Sequence, residues 1–272
     1  MSFIQGLVLG AIQGITEWLP ISSEGITTLV MVNFFDLPFA DALFLAIWLH
    51  LGTVLAAIFY FRHELYEIVR CLPGYVRDIR HANDSAQGKL VTFLLLGTIV
   101  TAAIGGPLVL FSLSNLNISS SLLTALIGVF LIITGLTQRF ALRTKSADNK
   151  HLRIRDGLFV GIAQALSVFP GFSRSGLSVS ALLFLRYNGE QALRLSFLLS
   201  IPLVLIAQVG LGIVKGITIN EASVAGLLSS VVFGFLTIKA LMKFALAVPF
   251  WAFCVVLGLL SLVPLLLGFW GV

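Results

Sequence analysis

Two acids and one base draw attention because of where they lie. Glu17 and Glu24 fall inside an apolar stretch, residues 3–35, and Arg174 falls inside another, residues 157–187. Every other acid sits in a loop or at a helix end, with Asp36 and Asp41 flanking the loop at Pro38. A charge at bilayer depth costs at least about 2.5–3.5 kcal/mol, so such residues face a wet cavity or each other. The simplest reading is a Glu–Arg ion pair that glues two segments together. Their neighbours argue for chemistry instead. Ser173, Arg174, Ser175, Gly176 and Ser178 supply a guanidinium and three hydroxyls at the start of a half-helix. Ser22, Ser23 and Gly25 open a second half-helix in the same way. A helix N-terminus attracts anions through its unpaired N–H groups. Arginine adds a planar fork that matches phosphate oxygens. The chemistry these residues suit is the binding and transfer of a phosphate group.

The elements that must position them are transmembrane. Of 272 residues, 58% are hydrophobic and 11% charged, with a mean hydropathy of +1.04. A soluble domain carries roughly 25% charged residues. Apolar runs of spanning length cover residues 39–61, 90–113, 121–140, 193–214, 222–244 and 250–269, which predicts six spans. The two broken stretches are each interrupted by a polar, Pro/Gly-containing turn and predict two re-entrant helical hairpins. They are also copies. A shift of 151 residues superposes Gly10 on Gly161, Gln13 on Gln164, Ser22 on Ser173 and Gly25 on Gly176. The expected fold is therefore all-α and integral to the membrane, one domain over residues 1–272 built from two repeats, 1–140 and 157–272. A unit of one hairpin plus three spans inserts its second copy upside down, giving an inverted-topology repeat.

Loop charge orients this arrangement. The connections around 62–89, 139–156, 186–194 and 239–249 hold 15 of the 17 Lys and Arg residues, and that side is expected to be cytoplasmic. The opposite side holds Lys215. Both termini then fall outside the cytoplasm. The net charge of +5 reflects this loop bias, so no nucleic-acid partner is implied. Cys71 and Cys254 fall in a cytoplasmic loop and a helix, and no disulfide is expected. His63, His81 and His151 belong to the cytoplasmic loops. His50 lies in the first span, in Trp48-Leu49-His50-Leu51-Gly52, where it is either a hydrogen-bonded structural residue or a catalytic one facing the cavity.

Two strings carry a resemblance. Thr16-Glu17-Trp18-Leu19-Pro20-Ile21-Ser22-Ser23 and Pro170-Gly171-Phe172-Ser173-Arg174-Ser175-Gly176 make the chain similar to the undecaprenyl-pyrophosphate phosphatases, the bacitracin-resistance family, with an affinity to archaeal-type members. The likeness extends over the whole length. It implies hydrolysis of a polyprenyl diphosphate to the monophosphate carrier lipid used in cell-envelope synthesis. It also implies an active site on the non-cytoplasmic side of the plasma membrane. Position by position, Glu17 matches the glutamate tied to metal binding or acid–base work, Ser23 the proposed nucleophile, and Arg174 the phosphate-binding arginine. Three positions depart from the commonest pattern: Gln13 stands for a glutamate, Glu24 for a small hydroxylic residue, and Ile26 for a histidine.

These readings set the expectations. Ser23 attacks the terminal phosphorus, and Glu17 with Glu24 acts as base and as ligand of a divalent cation, Mg²⁺ or Ca²⁺, because carboxylate oxygens are hard ligands. Direct attack by a metal-activated water is the open alternative. Arg174 holds the phosphate, with Gln13, Ser22, Gly25, Ser173 and Ser175 as substrate contacts and His50 as an additional catalytic candidate. The partners are the diphosphate lipid and the surrounding membrane lipid; assembly as a homodimer is left open. A different class of function, translocation of polyprenyl phosphate or another anionic lipid, fits the inverted-repeat architecture as the second reading.

Overall fold

A computed structural model describes residues 1–78, 85–115, 120–147, 151–214, 220–243, 249–263 and 265. His81, Lys215 and the far end of the sixth expected span lie outside the described residues. Among the described residues the α-helices, in order, are α1 (Phe3–Thr16), α2 (Ser23–Phe34), α3 (Phe39–Tyr60), α4 (Arg62–Arg77), α5 (Ala86–Asn115), α6 (Ser120–Ala141), α7 (Ile154–Ala165), α8 (Arg174–Phe184), α9 (Gly189–Val214), α10 (Glu221–Lys243) and α11 (Phe250–Leu260). A single 3₁₀ turn, Leu166–Val168, follows α7.

Among the described residues, five helices are long and apolar enough to cross a bilayer: Phe39–Tyr60, Ala86–Leu108, Leu122–Ala141, Gly189–Gly210 and Glu221–Lys243. They coincide with five of the six expected spans, and the described part of the sixth is the apolar α11. Large apolar side chains such as Ile99, Val209, Val232 and Val256 point outward along them. In water such a surface would be untenable; in lipid it is the solvated face. The chain is a multi-pass integral membrane protein.

Small residues let the broken segments pack tightly. α1 lies along α10, where Gly10 approaches Gly226 and Ser229, and Gly14 approaches Ser230 and Gly234. α7 lies along α5 in the same manner, with Gly157 against Phe93 and Gly161 against Gly97 and Val100. α6 and α11 meet at Gly128 and Gly258. Close backbone approach at small residues is the usual means of helix association where lipid offers no hydrophobic drive. A buried apolar cluster links the two halves, with Trp18 packed edge-on to Phe197 at a centroid distance of 4.9 Å.

One expectation is corrected. Residues 62–89 read as a cytoplasmic loop, but 62–77 form the helix α4. The helix is amphipathic: Leu65 and Ile68 pack on the core cluster, while Tyr66, Val69 and Val76 are exposed. Glu64 receives both Nε and Nη2 of Arg194 at 2.9–3.0 Å, and the buried Tyr75 hydroxyl meets Thr92 Oγ1 at 2.8 Å. Leu65, Ile68, Val69, Leu72 and Val76 recur at helical spacing, so the period is present in the sequence; the segment is only too charged to be a span. On the same side, Tyr187 donates to Asp156 Oδ2 at 2.5 Å. Burial, then the Asp156 hydrogen bond and charge, push the Tyr187 phenol above its ordinary range.

Candidate active site

The two polar turns meet. Residues 17–22 join α1 to α2 and residues 166–173 join α7 to α8, and each turn ends on a serine that caps the next helix. Ser22 accepts from Gly25 N at 3.3 Å, and Ser173 accepts from Gly176 N at 3.0 Å. These are side-chain N-caps, which satisfy one of the orphan donors of a helix start. Ser23 and Arg174, the two residues most expected to do chemistry, therefore hold the equivalent first positions of α2 and α8.

Contacts between the tips are direct. Ser22 Oγ also accepts from Gly171 N at 3.2 Å, and Ser175 Oγ donates to Leu19 O at 3.0 Å. Ser22 takes a left-handed backbone at φ 63° and Gly171 sits at φ 106°, a conformation that only glycine adopts without strain. Gly25 matters for a different reason: an added Cβ would lie 3.0 Å from Ser22 Oγ and 3.1 Å from Gly171 N. It makes room for the second tip and does not itself line the cavity.

Glu17 is the hub. It is 4% exposed. Its Oε1 accepts from Arg174 Nη2. Its Oε2 accepts from Gln13 Nε2 at 2.8 Å and Ser23 Oγ at 2.6 Å, with His50 Nε2 at 3.1 Å. The His50 ring also lies 2.6 Å, through Nδ1, from Ala46 O. Carbonyl and carboxylate both accept, so the imidazole fits between them as a two-point donor. Arg174 keeps one buried nitrogen, Nη1, without a partner among the described residues. An unpaired guanidinium N–H at this depth is costly unless a ligand oxygen completes it.

A pocket opens beside this hub, lined by Glu17, Ser22, Ser23, Glu24, His50 and Arg174, with Ser167, Phe172, Ser173 and Ser175 completing the wall. His50, weighed from sequence as either a structural or a cavity-facing catalytic residue, lines this pocket. Gln13 does not reach the pocket. It stands behind Glu17, donating to it and accepting from Thr27 Oγ1 at 3.4 Å. Ser167 and Phe172 were missed because nothing distinguishes them in sequence. Thr134 and Gln138, which hold the tips from α6, carried a legible signal: two polar residues four apart in an apolar span.

The pocket residues can be tested against a divalent cation. Among the described residues, no three His, Cys, Asp or Glu side chains gather into a protein-only cage. Both oxygens of Glu17 already carry donors. Glu24 lines the pocket and makes no hydrogen bond or ion pair to a described residue. That donor set fits a cation shared between one carboxylate and ligand phosphate oxygens, a common way of holding Mg²⁺.

An all-helical membrane protein that aims an arginine, a carboxylate-paired serine and two helix N-termini into one pocket is a membrane-embedded protein built to handle an oxyanion. The chain belongs to the family described as Bacitracin resistance protein BacA, whose profile matches residues 6–263. It is 42% identical over 270 residues to a protein of Methanococcoides burtonii named undecaprenyl-diphosphatase, covering 98% of this chain and all of the relative. It is 38% identical over 260 residues to one of Haloarcula marismortui (94% and 95% covered) and 36% identical over 266 residues to one of Methanothrix thermoacetophila (96% of each), both named likewise.

Proposed function

We propose that the chain is an undecaprenyl-diphosphatase-type hydrolase that removes the terminal phosphate of a polyprenyl diphosphate within the membrane. The observation that carries the mechanism is Ser23 Oγ at 2.6 Å from Glu17 Oε2, beside the open Nη1 of Arg174. A serine hydroxyl is a weak nucleophile until a base takes its proton. Glu17 accepts that proton as Ser23 Oγ forms a bond to the terminal phosphorus. The bond from phosphorus to the bridging oxygen breaks, and the polyprenyl monophosphate leaves with the bonding electron pair. Arg174 and the N–H groups opening α2 and α8 hold the charge that builds on the phosphoryl oxygens. His50 stands within reach to protonate the departing oxygen. Glu17 then passes the proton it took from Ser23 to His50, 3.1 Å away, which has given its own to the departing oxygen. Water, giving a proton to the freed Glu17 carboxylate, attacks the phosphoserine phosphorus; the bond from phosphorus to Ser23 Oγ breaks, Glu17 returns that proton to Oγ, and inorganic phosphate leaves. Glu24, with the diphosphate oxygens, would hold Mg²⁺ or Ca²⁺, which supplies charge neutralisation.

Several finer features of the architecture belong to this reading. An inverted repeat with two re-entrant hairpins is supported by the paired serine caps and by the exchange in which α1 packs on α10 while α7 packs on α5. Six spans are supported by the five long helices and the apolar start of a sixth. An outward-facing site is supported by the loop charge. The exchanged hairpins also suit the second reading, a lipid translocase. Phosphate release from undecaprenyl diphosphate by the purified protein separates the two. Release that vanishes in Ser23→Ala supports the hydrolase with serine attack. Release that persists in Ser23→Ala points to water as the nucleophile. Lipid transfer across proteoliposomes without release favours translocation.

A further inference from the structure

One face of α6 carries a row of residues at helical spacing, Ile127, Phe130, Thr134 and Gln138, and both hairpin tips rest on it. The second tip is seated closely: a Cβ on Gly171 would lie 2.6 Å from Ile127 O, and one on Gly176 would lie 2.9 Å from both Gln138 Nε2 and Thr134 Cγ2. The polar members make specific bonds. Thr134 Oγ1 accepts from Ser173 N at 3.3 Å. Gln138 Nε2 donates to Pro20 O, the backbone of the other tip. Cys254 Sγ, from α11, donates to the same carbonyl at 3.2 Å, and Gln138 Nε2 lies 3.7 Å from that sulfur. All three side chains are buried: Thr134 and Cys254 are 0% exposed and Gln138 is 6%. Buried donors and acceptors so matched hold their partners in place, because any displacement leaves a polar group unpaired.

We propose that Thr134 and Gln138 are positioning residues, a two-point strut on α6 that sets the register of one hairpin tip against the other. Thr134 fixes the residue immediately before Arg174. Gln138 fixes the turn between Glu17 and Ser23. Neither lines the pocket: among the described residues, the Thr134 side chain bonds only the backbone N–H of Ser173, and that of Gln138 bonds only Pro20 O and Cys254 Sγ. Their effect passes through the separation of the nucleophile–base pair from the arginine. That separation belongs to the transition state more than to substrate capture, and displacements on the order of 1 Å remote from the chemistry can cost about a hundredfold in rate. The strut rests on the phosphatase reading for its kinetic consequence but not for its structural one.

The test uses the full chain in lipid nanodiscs with three variants. Thr134→Val keeps the shape and loses the oxygen, Thr134→Ser keeps the oxygen, and Gln138→Met keeps the length and loses the amide. Thr134→Val and Gln138→Met should each lower kcat on undecaprenyl diphosphate about tenfold with KM within about twofold of wild type, while Thr134→Ser stays close to wild type. Backbone amides of both tips, 17–25 and 167–176, should exchange hydrogen about fivefold faster in Thr134→Val and Gln138→Met, with α4 unchanged. Unchanged exchange at the tips overturns the proposal. So does faster exchange throughout the chain, which would mean general loosening, or equal loss in Thr134→Ser. A wild-type protein that releases no phosphate overturns the phosphatase reading instead, and the exchange data still decide the strut.

Discussion

At the scale of single residues, the site separates groups that meet the phosphate from groups that hold them. Arg174 does both, with one nitrogen on Glu17 and one left open. Lysine keeps the charge but cannot serve two directions from a planar fork. Arg174→Lys should lower kcat by about a hundredfold or more while the protein still inserts and folds, read by phosphate release beside the elution profile of the purified protein. Gln13 and Glu24 divide differently from what their sequence positions suggest. Were Glu24 a substitute for a carboxylate lost at Gln13, the two positions would be interchangeable. Instead, the Gln13 amide donates to Glu17 whereas Glu24 faces the pocket. Glu24→Gln should therefore reduce the rate and weaken its dependence on added Mg²⁺, and Gln13→Glu should fail to restore it, because the new carboxylate would abut Glu17. Initial rates of the single and double variants across cation concentration check this; recovery in the double variant would make Glu24 interchangeable with a carboxylate at position 13. Residue types in the two tips were legible from sequence because charge at membrane depth is rare. The direction in which each side chain points was not, since Gln13 and Glu17 lie on one helix face by spacing alone.

Helices assemble here through small residues, and the consequences differ by position. On α1, a Cβ at Gly10 would fall 2.0 Å from Gly226 O, a backbone atom with no freedom to yield. Gly10→Ala should separate α1 from α10 and cost about 1–3 kcal/mol as an overpacked contact. Gly210, on α9, has nothing within 4 Å of its added Cβ. Gly210→Ala should stabilise by about 0.5–1 kcal/mol through helix propensity. Thermal unfolding of the two variants in detergent should thus move in opposite directions. The five long spans were readable to within a few residues, because twenty apolar residues in a row leave one solution in lipid. The broken helices were readable because their polar turns interrupt that run. α4 carries its own helical period, but its charges make it read as a connection between spans, and where it docks is set by Glu64–Arg194 and Tyr75–Thr92, partners 17 to 130 residues away in sequence.

The molecule as a whole brings together residues separated by about half its length, an arrangement that the proposed duplication would account for. Ser22 and Ser173 are equivalent in sequence, cap equivalent helices, and stand on opposite sides of one pocket. A repeated unit in one orientation would set its tips side by side at one membrane face; tips that enter from opposite faces can meet in the middle. Orientation is the part of this argument that charge alone supports, and labelling decides it. In a Cys71→Ser background, with Cys254 kept because it is fully buried, single cysteines can be placed at Ser146 and Glu221, both exposed. Ser146 follows α6 among the basic connections that hold 15 of the 17 Lys and Arg residues, and Glu221 opens α10 on the opposite side. A membrane-impermeant thiol reagent applied to intact cells should modify the cysteine at 221 and reach the one at 146 only after the membrane is opened. The reverse pattern would invert the molecule and turn the pocket toward the cytoplasm. Modification of both from outside would require an even number of crossings that excludes the exchange of α1 and α7 between halves. With the expected pattern, a diphosphate headgroup reaches Arg174 from the outer face, so an impermeant, water-soluble diphosphate added to cells should compete with the lipid for the site.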